Sequence, residues 1–275
     1  MRFNNKHMKN IAKTMQQIER ILGWMAESQT NVEIGKPYLT EREGILELRF
    51  DPWYVQSEMC IEQPDELVFS YTRAMMSFLL FDPMPKRIAM IGLGGGSLAK
   101  YCYRYLPQTE ITVVEINPDV IALRNKFAIP ADDLRFQVLL GDGAEWVTDT
   151  ARQSDVLIVD GFDAGGLPAQ LCSQQFYDDC FASLADNGIM VVNLWGTRSQ
   201  LDDYLARIRN SFAHRVMIVD AEDSCNKIVL AAKNVEFPPR PSTVRHHARL
   251  LCLSHPLDFK RKSNKLIQAL RVRAI

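Results

Sequence analysis

Residues 88–96 read I-A-M-I-G-L-G-G-G, and this stretch decides the fold. An apolar run leads directly into four glycines within five residues, and a helical pattern follows from Leu98 to Tyr105. A strand, a glycine turn and a helix in this order open a doubly wound α/β sheet. Glycine suits such a turn because the backbone bends sharply, often with positive φ, and a ligand can approach it closely.

A second predicted strand, residues 111–115, ends on Glu115, which lies 21 residues after Gly94. An acid at about 20 residues past the glycines, at the end of the second strand, binds ribose hydroxyls in nucleotide-type sites. Asn117 can cap the next helix, and Pro118 suits its first turn. The register of these parts predicts a nucleotide-type site. The alternative is a glycine-rich turn that only packs the helix against the strand.

The glycine turn also narrows the class of nucleotide. The dinucleotide fingerprint has a third glycine where this chain has Ser97, and no lysine stands in a Walker arrangement. A nucleoside triphosphate loop is therefore not expected. An adenosyl sulfonium suits the pattern better, because adenosylmethionine has no phosphate to bind.

Composition limits the possible classes of protein. The chain has 275 residues, 47% of them hydrophobic, which suffices for one large core and a smaller appendage. The net charge of −1 creates no overall field for nucleic acid or an anionic membrane. No apolar run approaches membrane-spanning length, and the opening M-R-F-N-N-K lacks a signal-peptide core. We therefore expect a cytoplasmic protein with neither a nucleic-acid nor a membrane partner.

The six cysteines are scattered without C-x-x-C spacing. In a chain of this size without an export signal, they are expected to be reduced and mostly buried thiols. No metal site is predicted.

The chain divides into three predicted units. Residues 1–62 hold an amphipathic helix at 8–27, which either packs on its own domain or forms a subunit contact, and a small antiparallel β unit. Residues 63–239 form a Rossmann-like domain, in which Asn187 and Gly188 are expected to end a helix. Strands are predicted at 31–34, 45–50, 53–61, 136–140, 155–159, 189–194, 215–219 and 227–231, and helices at 66–80, 173–184 and 199–211.

The third unit, residues 240–275, carries nine Lys or Arg against one acid, Asp258. Histidines lie among them. The adjacent side chains of His246 and His247 are not expected to point toward one metal ion, because neighbouring residues rarely point the same way. The composition favours a solvated basic tail or lid over a segment that binds an anionic partner.

Acids follow three successive predicted strands. Glu115, Asp142 and Asp160 stand at or just after the carboxyl ends, and Asp163 lies in the same loop as Asp160. Ligands bind at this edge of open α/β sheets, so we expect the four carboxylates to share a cleft. Asp142 could instead cap its short helix.

Such a cluster suits chemistry on an amine. A lysine-like amine has a reference pKa near 10.4, so freeing its lone pair at pH 7 costs about 4–5 kcal/mol. A nearby carboxylate can accept that proton, and further carboxylates can hold the cationic remainder of a polyamine. The electrophile would be a carbon beside a sulfonium, which is already a good leaving group, so positioning and charge placement are what remain.

At these residues the chain resembles the spermidine synthase family, the aminopropyltransferases, over roughly residues 45–195. The family has G-G-G-D-G, V-E-I-D, D-G and a D-x-x-D loop ending in G-P. The corresponding stretches here are G-G-G-S-L at 94–98, V-E-I-N at 114–117, G-D-G at 141–143 and D-G-F-D-A-G-G-L-P at 160–168. The resemblance implies a Rossmann-like, class I adenosylmethionine-dependent methyltransferase fold, a doubly wound and mostly parallel sheet.

The resemblance also implies how the co-substrate, decarboxylated adenosylmethionine, is bound. Glu115 would bind the ribose, Asp142 the adenine, and Gln56 the sulfonium substrate. No permanently bound cofactor is implied. The residues expected to bind the adenosyl co-substrate are Gln56, Gly92, Gly94, Gly95, Gly96, Glu115, Asp142 and Gly143.

On the amine side, the resemblance implies that Asp160 deprotonates the attacking amine with assistance from Tyr71. The acceptor would be a polyamine such as putrescine, and we expect a homodimer or a higher homo-oligomer. The residues expected to bind this substrate are Asp163, Asp65 and Ser97.

The departures from the family leave alternatives open. Ser97 replaces the family's aspartate that grips the aminopropyl amine, and Thr72 stands where the family has His or Gln. The family's loop with tyrosine and proline has no clear counterpart between Asn193 and Lys227. Because a serine tolerates a ligand carboxylate that an aspartate repels, ordinary adenosylmethionine is also a credible ligand. The alternatives are therefore a methyltransferase acting on a small nucleophile and a non-catalytic binder of adenosyl ligands.

Overall fold

A computed structural model describes residues 35–163, 165–234 and 236–273. The predicted helix at 8–27 and the strand-like piece at 31–34 lie outside the described residues. Within them, a three-stranded sheet precedes a seven-stranded sheet.

The first sheet is antiparallel, as the sequence predicted. It consists of β1 (Tyr38–Arg42), β2 (Ile45–Arg49) and β3 (Val55–Cys60). Its first hairpin turns through Glu43 and Gly44, whose φ angles are 52° and 76°. A shift of register after Leu48 precedes the turn into β3.

The second sheet has the order β6-β5-β4-β7-β8-β10-β9. All its strands run parallel except β10, which is antiparallel to both of its neighbours. The chain leaves the central β4 on one side through β5 and returns on the other through β7, as a doubly wound sheet requires. The strands are β4 (Arg87–Ile91), β5 (Glu110–Glu115), β6 (Phe136–Leu140), β7 (Ser154–Val159), β8 (Leu184–Leu194), β9 (Val216–Asp220) and β10 (Lys227–Ala232).

Helices cover both faces of this sheet. Two short 3₁₀ helices, Met76–Leu80 and Ala169–Leu171, accompany eight α-helices in the part of the chain that the structure describes. The α-helices are α1 (Ser70–Met75), α2 (Ser97–Tyr105), α3 (Pro118–Ala122), α4 (Gly143–Trp146), α5 (Gln174–Ser183), α6 (Arg198–Ser211), α7 (Pro241–Leu251) and α8 (Phe259–Arg273).

The core has two halves that lie on opposite faces of the sheet. In β4, Ile88 and Met90 belong to one buried cluster, whereas Ala89 and Ile91 belong to the other. Successive side chains of a strand point to opposite faces, so a continuous apolar run needs cover on both sides. The predicted Rossmann-like methyltransferase fold class is confirmed.

The predicted helix at 66–80 is shorter and tighter than expected. It begins only at Ser70 and changes to a 3₁₀ helix at Met76. The Arg73 guanidinium donates hydrogen bonds to the carbonyls of Leu67 and Val68, at 2.7 and 2.5 Å. These side-chain bonds satisfy carbonyls that a longer helix would have used itself.

The prediction that Asn187 and Gly188 end a helix is wrong. Helix α5 already ends at Ser183, and both residues lie inside β8, beside an irregularity in its pairing with β7. Asn187 has a φ of 65°, a left-handed conformation that asparagine tolerates at bulges and turns as well as at helix ends.

The C-terminal segment is not a solvated basic tail. Its two helices bury one face in the core, where Val244, Leu251 and Phe259 are each at most 2% exposed. His247 Nδ1 donates to the carbonyl of Leu80 at 2.9 Å, and Lys262 Nζ donates to that of Arg73 at 2.8 Å. Five of the basic residues, Arg245, Arg249, Lys260, Arg261 and Lys265, are exposed on these packed helices, an arrangement that the composition alone could not reveal.

Three of the six cysteines, Cys102, Cys172 and Cys180, are buried, and all six are free thiols. Among the described residues, no group of three or more His, Cys, Asp or Glu side chains could hold a metal ion. Within the same ranges, no helix is long and apolar enough to cross a bilayer.

His255, between α7 and α8, joins the C-terminal helices to α2. Its Nδ1 is 2.8 Å from the hydroxyl oxygen of Tyr101, and its ring packs against Tyr105 and Phe259. Burial lowers the pKa of His255 to about 4, because the charged imidazolium loses its hydration there.

His255 predicts how stability depends on pH. Its pKa falls from about 6.5 in the unfolded chain, so below that value the unfolded state binds a proton that the fold does not. Between pH 7 and pH 5, the free energy of unfolding should fall by about 2 kcal/mol more in the wild type than in His255→Gln. Urea denaturation at both values measures this, with the exposed His246→Gln as control. If the free energy of unfolding falls equally in the wild type and in His255→Gln, the lowered pKa of His255 would be refuted.

Candidate functional site

A cleft lies at the carboxyl ends of β4, β5, β6 and β7, at the point where the order of the strands reverses. The small sheet forms part of its wall through Leu48, Phe50, Gln56 and Ser57, and its volume is about 200 Å³. The cleft brings together ten of the residues predicted from sequence. They are Gln56, Tyr71, Gly92, Gly94, Ser97, Glu115, Asp142, Gly143, Asp160 and Asp163.

Gly92, the first residue of the glycine turn after β4, packs against the backbone of Asp160, which directly follows β7. Its N–H donates to the carbonyl of Val114 at 2.9 Å, and its φ is 93°. A Cβ atom at this position would lie 2.4 Å from the backbone oxygen of Asp160. Only glycine allows the end of β4 to approach the end of β7 this closely.

Two of the predicted glycines do not line the cleft. A Cβ at Gly95 would lie 2.6 Å from Ser57 Oγ, and one at Gly96 would lie 2.5 Å from the side chain of Ile129. Their role in the structure is close packing of the turn against its neighbours, so their prediction as ligand-binding residues is not supported. Gly94 does line the cleft.

Glu115 is 8% exposed at the end of β5. Its Oε2 accepts from the backbone N–H of Leu93 at 2.8 Å, and its Oε1 accepts from that of Asn117 at 2.8 Å. These bonds satisfy one acceptor site on each oxygen, and a carboxylate oxygen has a second one for a ligand hydroxyl. The glycine turn therefore fixes the carboxylate of Glu115. The predicted Asn117 cap is confirmed, since its side chain accepts from the N–H of Asp119.

Asp142 has both of the roles that the sequence left open. It caps α4, because Oδ1 accepts from the N–H of Ala144 at 2.8 Å, and it also lines the cleft. Gly143 follows at a point where a Cβ would lie 2.3 Å from the side chain of Ile91. The tight packing of α4 on β4 thus places the Asp142 carboxylate at the edge of the sheet.

Asp160, just after β7, is partly exposed to the cleft and has two polar side-chain neighbours. Asn193 Nδ2 donates to Oδ1 at 2.9 Å, and the Tyr71 hydroxyl faces the carboxylate as a second polar neighbour. Burial raises the pKa of Asp160, while these two neighbours oppose that shift. Burial and the nearby Asp160 charge raise the pKa of Tyr71 well above its usual value, so Tyr71 stays a neutral donor.

Three further polar residues, Asp163, Ser97 and Gln56, line the cleft. Asp163 is exposed, and its Oδ1 accepts from the N–H of Gly165 at 2.7 Å, which holds the loop after β7 in a tight turn. Ser97 Oγ donates to the carbonyl of Glu58 at 3.4 Å. Gln56 lines the wall formed by β3.

Asp65 does not line the cleft, so its prediction as a substrate-binding residue is not supported. Its charge instead acts on Lys100, which is 1% exposed and donates from Nζ to the carbonyl of Phe127 at 2.8 Å. Burial lowers the pKa of Lys100 to about 8, and Asp65 opposes that shift. The segment after β3 therefore turns Asp65 toward the back of α2.

The charges of the cleft all have one sign. Four carboxylates line it, from Glu115, Asp142, Asp160 and Asp163, and no Lys, Arg or His side chain of the described residues does. Carboxylates gathered without a counter-ion repel one another and attract a cation. The cleft therefore suits a positively charged ligand.

Sequence reasoning missed Asn193 and Asn226. Asn193 lies in the otherwise apolar run of β8 and is 2% exposed, and its Oδ1 accepts from Asn226 Nδ2 at 2.9 Å. A lone amide in a buried strand was the available signal, because such a group needs partners. Nothing in the sequence marked Asn226.

Comparison with known proteins identifies the family of this chain. Residues 68–222 match the spermine/spermidine synthase domain. The chain is 37% identical over 225 residues to a polyamine aminopropyltransferase of Neisseria meningitidis serogroup B, covering 81% of this chain and 86% of that protein. The chain belongs to the spermine/spermidine synthase family. A polyamine aminopropyltransferase of Chromobacterium violaceum is 34% identical over 243 residues, covering 88% of this chain and 91% of the relative.

Solved structures share the fold of this spermine/spermidine synthase family member. A probable spermidine synthase from Corynebacterium glutamicum aligns with a TM-score of 0.66 at 21% identity, covering 77% of this chain and 83% of the other. Human methyltransferase-like protein 13 in complex with SAH aligns with a TM-score of 0.60 at 22% identity, covering 67% and 91%. At these identities the likeness shows the fold alone. The family is one of transferases, so the chain is a transferase.

Gly92 gives a direct test of the site's construction. Gly92→Ala should lower the free energy of unfolding by at least about 2 kcal/mol more than Gly44→Ala, because both pay for positive φ but only Gly92 meets a backbone oxygen. Urea denaturation of the two variants measures the difference. An equal loss of unfolding free energy in the two variants would show that the stability of the fold does not depend on the close approach of β4 and β7.

Proposed function

We propose that this chain transfers an aminopropyl group from decarboxylated S-adenosylmethionine to the amine of a polyamine acceptor such as putrescine. The observation that carries the proposal is the cleft lined by four carboxylates and, within the described residues, by no cationic side chain. Both proposed substrates are cations, and neither has a carboxylate. The relatives named polyamine aminopropyltransferase support the same reaction.

The proposed step balances in charge and atoms. The acceptor nitrogen attacks the methylene carbon beside the sulfonium, a C–N bond forms, and the C–S bond breaks with its electron pair going to sulfur. The products are a neutral methylthioadenosine and a lengthened polyamine. Asp160 accepts the proton that the attacking amine loses, with Tyr71 as a neutral donor that orients its carboxylate.

The other residues would hold the two substrates. Glu115 would bind the ribose hydroxyls with its remaining acceptor sites, and Asp142 would bind the adenine. Asp163 would hold the cationic part of the acceptor, and Gln56 would contact the sulfonium substrate. The cytoplasmic location of the protein and its assembly into a homodimer or a higher homo-oligomer remain predictions from the sequence.

One observation favours a second candidate, a methyltransferase that uses ordinary S-adenosylmethionine. Ser97 stands in the cleft where the family has an aspartate, and a serine does not repel the carboxylate of that ligand. The absence of a cationic partner for that carboxylate among the described lining residues weighs against it. A non-catalytic binder of adenosyl ligands is a third candidate, but folding alone does not need both Asp160 and Asp163 in one loop.

Ligand discrimination tests the choice of co-substrate. Decarboxylated adenosylmethionine should bind at least about tenfold more tightly than adenosylmethionine, a difference of about 1.4 kcal/mol. Ser97→Asp should widen the gap, because it adds a charge that repels the ligand carboxylate. Calorimetric titration measures both, with methylthioadenosine as the reference ligand. Tighter binding of adenosylmethionine, with adenosylhomocysteine as product, would instead establish the methyltransferase, and binding without any product would establish the third candidate.

Asp160→Asn tests the proposed base. Turnover with decarboxylated adenosylmethionine and putrescine should fall by roughly 10² to 10⁴, because the amide cannot accept the proton. The affinity for methylthioadenosine should change little. Wild-type turnover should fall as pH drops through the raised pKa of Asp160, above the range of an exposed aspartate. The exposed Asp202→Asn on α6 is the matched control, and a fully active Asp160→Asn would remove Asp160 from the mechanism.

A further inference from the structure

Asp160 stands at the end of a chain of side-chain amides. Asn226 Nδ2 donates to Asn193 Oδ1 at 2.9 Å, and Asn193 Nδ2 donates to Asp160 Oδ1 at 2.9 Å. We propose that Asn193 and Asn226 are positioning residues, which together hold the Asp160 carboxylate in one orientation and favour its charged form. This inference rests on the proposed function only for the task that Asp160 performs.

The fold supplies the two amides from neighbouring strands. Asn193 lies in β8, next to Val192 and Leu194, which are fully buried. Asn226 directly precedes β10, which pairs with β8 so that Ile228 lies opposite Asn193. A buried amide costs free energy unless its donors and acceptor are satisfied. Asn193 escapes much of this cost through its two partners, and both of them are polar groups at the rim of the sheet.

Asp160 and Asn226 together set which end of the Asn193 amide faces Asp160. The oxygen and nitrogen ends of an asparagine amide have nearly the same shape, so packing alone does not distinguish them. A carboxylate only accepts hydrogen bonds, so the nitrogen end must face Asp160. Asn226 donates to the oxygen end and thereby disfavours the reversed amide, in which an oxygen would face the Asp160 carboxylate. Asn226 therefore acts on Asp160 through Asn193.

The charges around Asp160 make these neutral donors important. Tyr71 faces it from α1, and the carboxylates of Glu115, Asp142 and Asp163 line the same cleft. No Lys, Arg or His of the described residues lines that cleft, so no cationic side chain there offsets the desolvation of Asp160.

Two charged residues on or beside the loop that carries Asn226, Lys227 and Glu222, form ion pairs with partners that do not line the cleft. Lys227 forms an ion pair with Asp220, and Glu222 forms ion pairs with Arg261 and Lys265. Asp223 is exposed, and its N–H donates to Ser70 Oγ at 3.3 Å.

Burial raises the pKa of Asp160, and the hydrogen bond from Asn193 is the largest influence that lowers it. The amide pair therefore takes the place that a cation would otherwise fill.

Substitutions along the chain should have graded effects. Asn193→Ala removes the donor, so Asp160 should bind its proton at higher pH. Asn226→Ala keeps the donor but releases the amide, so its effect should be smaller. Asn226→Asp puts an acceptor where the chain needs a donor, so the Asn193 amide should turn its nitrogen toward position 226 and away from Asp160.

The proton on Asp160 can be followed without turnover. Infrared difference spectroscopy of the full chain during a pH titration shows the C=O band of a protonated carboxyl, and the band missing in Asp160→Asn belongs to Asp160. We expect the midpoint to rise by about one pH unit or more in Asn193→Ala and Asn226→Asp, and by less in Asn226→Ala. Asn210→Ala, the same substitution at an exposed position on α6, should leave the midpoint unchanged.

A second readout separates positioning from a structural role. With substrates at saturation, the acid limb of the kcat profile should move to higher pH in parallel with the infrared midpoint, while the affinity for methylthioadenosine stays within about twofold of the wild type. Loss of activity at every pH without a shifted limb would mean that the amides only support the fold.

An unshifted midpoint in folded Asn193→Ala and Asn226→Asp would overturn the proposal. Should Asn193→Ala fail to fold, the two substitutions at position 226, which is only partly buried, decide the question. If the wild type turns over none of the proposed substrates, the proposed function fails, but the infrared titration still tests the amide chain by itself.

Discussion

The close approach of β4 to β7 at Gly92 is the constraint on which the site depends. The backbone oxygen of Asp160 occupies the space of the missing Cβ, and Gly92 also pairs with Val114 of β5. Three neighbouring strands therefore end together at one residue. Because these strands are parallel, the acids that follow them meet at one edge of the sheet, within reach of a single ligand.

Neutral hydrogen-bond donors satisfy the carboxylates of the resulting cleft. Glu115 is fixed by two backbone N–H groups, and Asp142 by one, so neutral donors rather than cations satisfy the carboxylates. Hydrogen bonds from neutral groups stabilise a buried charge without cancelling it. The cleft therefore keeps its attraction for a cation, and a cationic co-substrate and acceptor would supply the missing positive charge.

The sequence predicted the elements whose signals are local. The four glycines, the acid after β5 and the Asn117 cap are short-range patterns, and the structure has each of them in register. The acids after strands could be placed in one cleft because parallel topology alone brings strand ends together. The structure does not support the ligand-binding roles predicted for Asp65 from the family resemblance and for Gly95 and Gly96 from the glycine motif. The position of the Asp65 side chain depends on how the segment after β3 turns, and the two glycines pack against their neighbours.

The sequence by itself determined the fold class, the family and the acids at the strand ends, because periodicity and motif spacing act over short distances along the chain. Only the tertiary structure decided that Asn193 and Asn226 meet behind Asp160, since they are 33 residues apart and are joined by the pairing of β8 with β10. It also turned the basic C-terminal segment into two helices packed on the core, because burial of one helix face depends on a partner surface that composition does not reveal.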